Sequence, residues 1–408
     1  MSLKNRRSLI AGLCAVAVAA VNLGCGGGSG APTSQKPSQP TITATVAAGT
    51  APVALAVNTT TNTIYVLGRG AGSSGPVCGG LPGTATLIDG SNGSTTTADI
   101  GGGEGPYPYA IALDAATNTA YVLSAGRFIA GGNCAGLRPA EMFTVEGKPP
   151  STSTVTGGVG SGQAGQNMAL DSSNNKLYVS DFLGNSALVV DTTTNTVANT
   201  IPLGFSPNNV AVNSSTNKIY VVGGGNFGII DGATNALTTI ADPDSAAQLA
   251  VNSTTNTVYA SNSGSNNVTV LDGATNALTT VADPNAVSPG AIAINTTTNK
   301  IYVANSGSNN VTVIDGATNS VTTVAAGTSP VALAVDLAHN RVYVANLGNN
   351  SSGDPGSITV IDGATNSAAT LIDPKAQNPT AVAVDSVNGM IYVANNGSNN
   401  VTVIDGTL

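Results

Sequence analysis

The most regular part of this chain reads Ala291-Ile-Ala-Ile-Asn295, Lys300-Ile-Tyr-Val-Ala-Asn305, Val311-Thr-Val-Ile-Asp-Gly316 and Ser320-Val-Thr-Thr-Val324. Short runs of β-branched and small apolar residues alternate here with clusters of Thr, Asn, Ser and Gly, a pattern that predicts four strands joined by turns. The same unit recurs along the chain, and each copy carries one tyrosine near the start of its second strand. These marker tyrosines are Tyr65, Tyr121, Tyr178, Tyr220, Tyr259, Tyr302, Tyr343 and Tyr392.

The spacing of the marker tyrosines predicts the fold. Neighbouring markers lie 39 to 57 residues apart, and a repeat of about forty residues with four strands is typical of a β-propeller blade. The composition is that of a β-rich chain, with 50 glycines, no tryptophan and only 8% charged residues. We therefore predict an all-β protein, an eight-bladed β-propeller of four-stranded antiparallel blades, numbered blade 1 to blade 8 in the order of the markers.

The composition of each strand fits one radial position in such a ring. The first strand alternates Ala with Val or Ile, as in Val382-Ala-Val384, and small side chains suit the crowded position beside the axis. The second and third strands are mostly apolar on both faces, as expected of sheets that have neighbours on either side. The fourth strand is rich in Thr, which keeps β-propensity at a solvated rim.

The ends of the repeat predict how the ring closes. The eighth unit ends at Asp405 and has no fourth strand. Thr41-Ile-Thr-Ala-Thr-Val46 and the Ala-Ala-Gly-Thr that follows match residues 321–328, which contain the fourth strand of blade 6. We expect this N-terminal strand to complete blade 8, because the pairing covers two open strand edges at once.

The N-terminal region has the pattern of an export signal. Residues 1–24 carry basic residues followed by an apolar run that is short for a membrane span. The run ends at Asn22-Leu23-Gly24-Cys25, which resembles a bacterial lipobox and implies lipidation of Cys25; cleavage without a lipid is the alternative. Residues 25–40 predict a flexible Gly/Ser/Pro tether, and the propeller spans 41–408. We expect an exported protein, lipid-anchored in the periplasm or at the cell surface, or secreted in soluble form without the lipid.

The repeated motif resembles a known family. Ile-Tyr-Val-Ala-Asn before Gly-Ser-Asn-Asn-Val-Thr-Val-Ile-Asp, at residues 301–315, is similar to the YVTN-repeat β-propellers of bacterial exported proteins and archaeal surface-layer proteins. The resemblance covers residues 41–408 and implies a secreted binding or surface protein with no established common chemistry. That family is usually seven-bladed. Units 1 and 2 are degenerate, with Glu146 replacing a repeated Asp, so seven blades is the alternative if one of them is an elaborated loop.

Charge and residue inventory argue against several classes of function. Loss of the leader removes three basic residues and takes the formal net charge from −8 to −11, which argues against nucleic acid as a partner. The chain has one histidine, His339, which we interpret as a turn residue. A His-based zinc site and most Ser or Cys triads are thereby excluded. We predict no metal, no cofactor and no catalytic residue.

An aspartate recurs after the third strand, at the turn to the fourth. The repeated residues are Asp89, Asp231, Asp272, Asp315, Asp362 and Asp405. We interpret them as turn residues whose carboxylates accept hydrogen bonds from nearby backbone N–H groups. A ring of metal ligands is the alternative, but these positions lie far from the predicted axis and too far apart to share an ion.

Three connections between second and third strands are enlarged, in blade 1 (residues 68–83), blade 2 (124–140) and blade 7 (347–356). We expect these loops to surround one mouth of the channel. Cys78 and Cys134 occupy equivalent positions in the first two loops, each 13 residues after its marker tyrosine. We expect them to form a disulfide, as is common in exported domains; two unpaired thiols are the alternative.

Arginines are concentrated on the enlarged loops of blades 1 and 2, at Arg69, Arg127 and Arg138. Three guanidinium groups at one mouth of an acidic protein could hold a carboxylate or a sulfate, because a guanidinium binds such anions through two parallel hydrogen bonds. The alternative is that these side chains donate to carbonyl groups of their own long loops.

Amides replace alanine at the start of three first strands, at Asn167, Asn209 and Gln248 in blades 3, 4 and 5. We expect these side chains to face the channel mouth. Such groups could bind a glycan, with Tyr107 and Tyr109 of blade 2 as stacking surfaces. Ordered channel water is the alternative partner for the amides.

Our leading hypothesis is a noncatalytic binding or scaffold lipoprotein of the cell envelope, which presents the loops of blades 1, 2 and 7 to a protein or glycan ligand. Its contact with the membrane would be through the N-terminal lipid alone. A lyase or lactonase-like enzyme acting at the channel mouth is the alternative, because propellers carry many unrelated functions. A carboxylate cluster beside the axis would favour the enzyme, and an uncharged, amide-lined mouth favours binding.

Overall fold

Eight sheets of four antiparallel strands form a ring in the computed structural model, which confirms an eight-bladed β-propeller. The structure describes residues 39–70, 82–100, 107–125, 127–129, 136–138, 141–147, 149–157, 165–349 and 352–407.

The strands fall into four concentric sets, numbered in chain order. The innermost strands are β2 (Pro52–Asn58), β6 (Tyr107–Asp114), β12 (Gly165–Asp171), β16 (Asn209–Asn213), β20 (Gln248–Asn252), β24 (Pro289–Asn295), β28 (Pro330–Asp336) and β32 (Pro379–Asp385). The second strands are β3 (Thr63–Gly68), β7 (Thr119–Ala125), β13 (Lys176–Asp181), β17 (Lys218–Gly223), β21 (Thr257–Asn262), β25 (Lys300–Asn305), β29 (Arg341–Asn346) and β33 (Met390–Asn395).

The two outer sets complete each blade. The third strands are β4 (Gly83–Asp89), β10 (Glu141–Glu146), β14 (Ser186–Asp191), β18 (Asn226–Asp231), β22 (Asn267–Asp272), β26 (Asn310–Asp315), β30 (Ser357–Asp362) and β34 (Asn400–Asp405). The outermost strands are β5 (Thr95–Ile100), β11 (Ser151–Thr154), β15 (Thr196–Pro202), β19 (Leu237–Ala241), β23 (Leu278–Ala282), β27 (Val321–Ala325), β31 (Ala368–Leu371) and β1 (Thr41–Ala47). A hairpin of β8 (Arg127–Ile129) and β9 (Gly136–Arg138) lies between β7 and β10.

The N-terminal strand closes the ring. Blade 8 has the strand order β32, β33, β34, β1, and Thr41 pairs with Asp405 at one end while Ala47 pairs with Asn400 at the other. The innermost strand of blade 1, β2, contacts β6 of blade 2 on one side and β32 of blade 8 on the other. The two ends of the repeat therefore meet in a single blade, as the sequence predicts.

The marker tyrosines fill the interfaces between blades. All eight are almost completely buried, with relative exposures of 0 or 1%. Tyr302 of blade 6, for example, packs against Val342 and Val344 of blade 7. Burial of such a large side chain between two sheets removes much apolar surface from water, which is the main stabilising contribution of each interface.

The ring has two faces with different connections. We call upper the face at which each innermost strand begins and each second strand ends, as at Pro289 and Asn305; it carries the turns between second and third strands and the connectors between blades. The lower face carries the turns between first and second strands and, in blades 1 to 7, those between third and fourth strands, including the turn after Asp315. The predicted loop-bearing mouth is therefore the upper mouth of the channel.

Candidate functional site

The first residues of the innermost strands frame the upper mouth. Proline takes this position in four blades, where its missing N–H removes no ladder hydrogen bond. These residues are Pro52, Pro289, Pro330 and Pro379. In blades 4 and 5 the strand begins two residues further along, with Asn209 and Gln248 at the position that Ala291 takes in blade 6, so the amides that replace alanine lie at the mouth itself.

The two mouth amides hydrogen-bond to each other. Asn209 is only 2% exposed, and its Nδ2 donates to Oε1 of the exposed Gln248 at 2.6 Å. The bond joins blades 4 and 5 beside the axis and orients the Gln248 amide. Gln248 can then offer a ligand its Nε2 donor and the second lone pair of Oε1.

A cavity of about 320 Å³ opens beside Gln248, between the innermost strands of blades 5, 6 and 7. Its wall is formed by Gln248, Gly290, Ala291, Ser306, Pro330 and Val331. All six residues are uncharged, and small-molecule sites have volumes from about 300 Å³ upwards. The cavity can therefore receive a small neutral group, with an amide and a hydroxyl as its polar side chains.

The backbone of this cavity wall is held rigidly. Ser288 and Ser329, which precede the prolines of blades 6 and 7, both have φ of 54°, a left-handed conformation that costs free energy for a residue other than glycine. Each N–H donates at 2.8 Å to an asparagine of the preceding blade, Ser288 to Asn266 and Ser329 to Asn309. These bonds fix the mouth before any ligand arrives.

Two further predicted site residues are Tyr109 in blade 2 and Asn167 in blade 3. The half-buried Asn167 begins the regular part of its strand, and its Oδ1 accepts the N–H of Met168 at 2.8 Å. Tyr109 packs against the apolar cluster that contains Met168 and Leu177, so part of its ring contacts blade 3. Burial, with a smaller effect of Asp181, raises the pKa of its hydroxyl. Stacking by Tyr109 on a ligand stays a prediction.

The loop residues are described only in part. Arg69 is exposed, and its backbone N–H donates to the carbonyl of Ala51 at 3.1 Å. Arg127 and Arg138 are register partners in the β8–β9 hairpin. The side chains of Tyr107, Arg127 and Arg138 lie outside the described residues, as do Cys25, Cys78 and Cys134, so the anion site, the disulfide and the lipidation stay predictions.

Sequence reasoning missed three buried carboxylates beneath the upper face, Asp242, Asp283 and Asp373, which are 2 to 5% exposed. Asp283 accepts hydrogen bonds from the hydroxyls of Thr312 at 2.7 Å and Thr323 at 3.0 Å. The carboxylates therefore connect each connector to the following blade. The available signal was an Asp-Pro dipeptide after three of the outermost strands.

Two connectors contact the following blade through a glycine instead of a carboxylate. In the connector to blade 1, Gly49 donates its N–H to Thr86 Oγ1 at 3.1 Å. In the connector to blade 7, Gly327 donates its N–H to Thr359 Oγ1 at 3.1 Å. A Cβ at Gly327 would lie 2.4 Å from Ser357 Oγ, so glycine is required by the close approach of the connector to the blade. Thr359 and Thr312 are equivalent residues in adjacent blades, with different partners.

The repeated aspartates of the lower face bond to their own turns. Oδ1 of Asp315 accepts the N–H groups of Ala317 and Thr318, both at 3.0 Å. These backbone hydrogen bonds hold the pKa of Asp315 below its usual range, because they favour the ionised form. Among the residues that the structure describes, no group of three or more His, Cys, Asp or Glu side chains is placed to hold a metal ion.

Basic residues of the lower face connect neighbouring blades. Lys300 Nζ donates to the carbonyl of Gly363 in the next blade at 2.6 Å, and Arg341 makes the equivalent bond to Gly406 at 2.6 Å. His339 lies in a turn, with Nδ1 2.7 Å from Oδ2 of Asp336, a buried residue at the end of its own blade's first strand. Lys300 and Arg341 thus hydrogen-bond to the next blade, whereas His339 bonds within its own blade.

No protein-family model and no curated protein sequence matches this chain. The described ranges contain no helix that is long and apolar enough to cross a membrane. What the geometry establishes is an eight-bladed β-propeller with a rigid, uncharged cavity at its upper mouth, an arrangement that suits binding or scaffolding.

Proposed function

We propose that this propeller is a noncatalytic binding protein of the bacterial cell envelope, lipidated on Cys25, which holds a neutral, hydroxyl-rich ligand such as a glycan at its upper mouth. The observation that supports this proposal is the uncharged cavity lined by Gln248 and Ser306. The proposal keeps the prediction from the sequence that the enlarged loops of blades 1, 2 and 7 also contact the ligand. The resemblance of residues 41–408 to YVTN-repeat proteins supports the same class of function.

The polar groups of the cavity suit hydroxyl groups. Gln248 offers an Nε2 donor, and the bond from Asn209 to its Oε1 orients the amide. Ser306 Oγ donates to the carbonyl of Ser288 at 3.3 Å, which leaves its lone pairs free to accept from a ligand hydroxyl. A sugar hydroxyl can both accept from the amide and donate to the serine.

The apolar part of the wall suits the carbon skeleton of the same ligand. Ala291, Pro330 and Val331 present carbon atoms beside the two polar groups. Sugars pair apolar C–H faces with a rim of hydroxyls, so a wall of this mixed character can contact both. A charged ligand would find no counter-charge among the cavity residues.

A glycan screen with matched variants tests the binding site. Purified wild type is compared with Gln248→Ala, which removes the cavity amide, and with Gln377→Ala, an exposed glutamine in the connector to blade 8. We expect at least one neutral glycan whose affinity falls about fivefold in Gln248→Ala, since one hydrogen bond is worth about 1 kcal/mol, and is unchanged in Gln377→Ala. Equal affinity of all three proteins, or no bound glycan at all, would contradict the proposal.

The lipid anchor is tested separately. Cells expressing wild type or Cys25→Ser are labelled with a radioactive fatty acid and fractionated. We expect label and membrane association in the wild type and neither in the variant. An unlabelled wild type released as soluble protein would show that export proceeds without lipidation.

A further inference from the structure

Equivalent asparagines are the last residues of the second strands in blades 5 to 8, and each has a buried oxygen atom without a hydrogen-bond partner among the described residues. They are Asn262, Asn305, Asn346 and Asn395. All four side chains are 0% exposed, and in each the Oδ1 atom is buried with no hydrogen-bond partner among the described residues. Buried polar atoms are nearly always hydrogen-bonded, so a repeated exception needs an explanation.

The orientation of the amide is fixed by its neighbours. Nδ2 of Asn305 donates to Oδ1 of Asn310 at 2.8 Å and to Oγ1 of Thr312 at 2.9 Å. Thr312 in turn donates to the carboxylate of Asp283, so its oxygen must accept from the asparagine. Asn310 is oriented by its own bond to the carbonyl of Asn285. A flipped Asn305 amide would point its oxygen at two acceptors, so Oδ1 must be the unpartnered atom of Asn305. The equivalent asparagines of blades 5 and 8 have the same kinds of partner, an asparagine oxygen and a threonine that donates to an aspartate.

The protein supplies no donor because of the residues beside the asparagine. In three blades the ladder partner of the asparagine is a proline, which has no N–H. The pairs are Pro289 with Asn305, Pro330 with Asn346 and Pro379 with Asn395. A register shift follows each proline and moves the next N–H groups out of line.

Blade 5 has no such proline, but the neighbouring donors are used elsewhere. The N–H of Ala246 donates to the carboxylate of Asp242 at 3.0 Å, and that of Ala247 donates to the carbonyl of Ser261 at 3.0 Å. The asparagine of this blade, Asn262, therefore has the same unpartnered oxygen for a different local reason.

A small cavity lies beside one of these asparagines. It is lined by Asn305, Thr312 and Asp283 of the hydrogen-bonded chain, with Val268, Val281 and Pro289 among its apolar neighbours. The space open to the centre of a water molecule is about 10 Å³, which is about the volume that one water needs. The cavity and the unpartnered oxygen therefore occur together.

We propose that each of these asparagines holds one ordered internal water, which donates a hydrogen bond to Oδ1, so that a row of four bound waters runs beneath the upper face of blades 5 to 8. Internal waters characteristically take the place of missing protein donors in this way. The row supports the rigid wall of the mouth cavity from within, because the strands that hold it are the second strands of the same blades.

Water fits these positions better than a cation. The atom without a partner is in each case a neutral amide oxygen, and the carboxylate beside Asn305, that of Asp283, already accepts two hydroxyl hydrogen bonds. In blade 7 the carboxylate is replaced by Gly327, and Oδ1 of Asn346 is still unpartnered. A metal ion needs several oxygen ligands and would follow the carboxylates, whereas the unpartnered oxygen follows the asparagine.

The proposal is tested first by a crystal structure of the protein at near-atomic resolution. We expect one water within hydrogen-bonding distance of Oδ1 in each of the four asparagines. A protein donor in contact with these oxygens, or a peak with the short distances and high coordination of a metal ion, would overturn it.

Water oxygen-17 relaxation dispersion gives a second readout in solution, because it counts waters with long residence times. We expect Asn305→Leu and, independently, Asn346→Leu each to lose about one such water per molecule, and Asn319→Gly in a lower-face turn to lose none. The use of two blades keeps the test decisive if one variant fails to fold. An unchanged count in a folded Asn305→Leu or Asn346→Leu protein would refute the proposal.

Discussion

Replacing Thr312 by valine removes one hydroxyl from the centre of a buried hydrogen-bonded chain and leaves the shape of the side chain almost unchanged. Thr312 is 3% exposed and donates to the carboxylate of Asp283 at 2.7 Å. It also accepts from Asn305 at 2.9 Å. The variant leaves a buried carboxylate with one hydrogen bond fewer, while Thr323 and a backbone N–H still donate to it.

The chain offers its own matched control in the next blade. Thr359 is 1% exposed and accepts from Asn346 at 2.9 Å, but its other partner is the N–H of Gly327 rather than a carboxylate. Hydrogen bonds to charged groups contribute about 1.5–3 kcal/mol, and neutral ones about 0.5–1.5 kcal/mol. Gly327 is half-exposed, so water can replace its lost bond in Thr359→Val.

We therefore expect Thr312→Val to lower the free energy of unfolding by about 2–3 kcal/mol and Thr359→Val by about 1 kcal/mol. Urea unfolding followed by circular dichroism measures both, provided that the slope of free energy against urea is the same in the two variants. Equal losses, or a larger loss for Thr359→Val, would refute the idea that the buried carboxylates carry the connection between blades.

The remaining predictions concern pH and ring closure. Burial raises the pKa of Tyr302, Tyr343 and Tyr392 to about 12; since a raised pKa favours the folded state only while the hydroxyl is protonated, stability should fall as pH rises from 10 towards 12. Tyrosinate absorbance should then appear together with unfolding, and ionisation in a still-folded protein would contradict this. Hydrogen bonds lower the pKa of Asp315 and Asp362. Their contribution to the stability of the fold is therefore present above the unfolded pKa of about 3.9 and should be lost as pH falls below it. Asp315→Asn should weaken this dependence of the urea midpoint on acid pH, and an unaltered dependence would count against the prediction. Deletion of residues 39–48 removes β1 from β34 and should lower the thermal midpoint, which an excess of a peptide of residues 41–50 should partly restore; an unchanged midpoint in the deletion would show that β1 does not stabilise the ring.

Much of the fold could be predicted because each strand and turn is specified by the residues of a short local segment. A run such as Lys300–Asn305 is apolar and β-branched, and the residues at its ends favour turns, so each strand is specified by its own residues. Asn299 and Asn309 both adopt positive φ in these turns, as their residue type suggests. The repeat then multiplies this signal, and the incomplete eighth unit indicates where β1 must pair.

The candidate site could be predicted only in outline. The sequence indicates that Asn209 and Gln248 depart from the repeat and lie at the mouth. It does not indicate that Asn209 is buried and that its side-chain amide donates a hydrogen bond to Gln248. The wall of the cavity was not predicted either, because Gly290 and Val331 are ordinary members of the repeat and become a surface only where three blades meet.

The amino-acid sequence by itself determined the four strands of each blade and the closure of the ring, because these follow from the period of the repeat and from short-range preferences. It favoured eight blades but left seven as the alternative, and the tertiary structure showed that units 1 and 2 are both complete blades. Only the tertiary structure decided which polar side chains meet. Thr312 lies 29 residues from Asp283, and Asn209 lies 39 residues from Gln248. Such pairs form only where neighbouring blades place the two polar atoms within hydrogen-bonding distance. That placement is set by the packing of whole sheets rather than by any local segment.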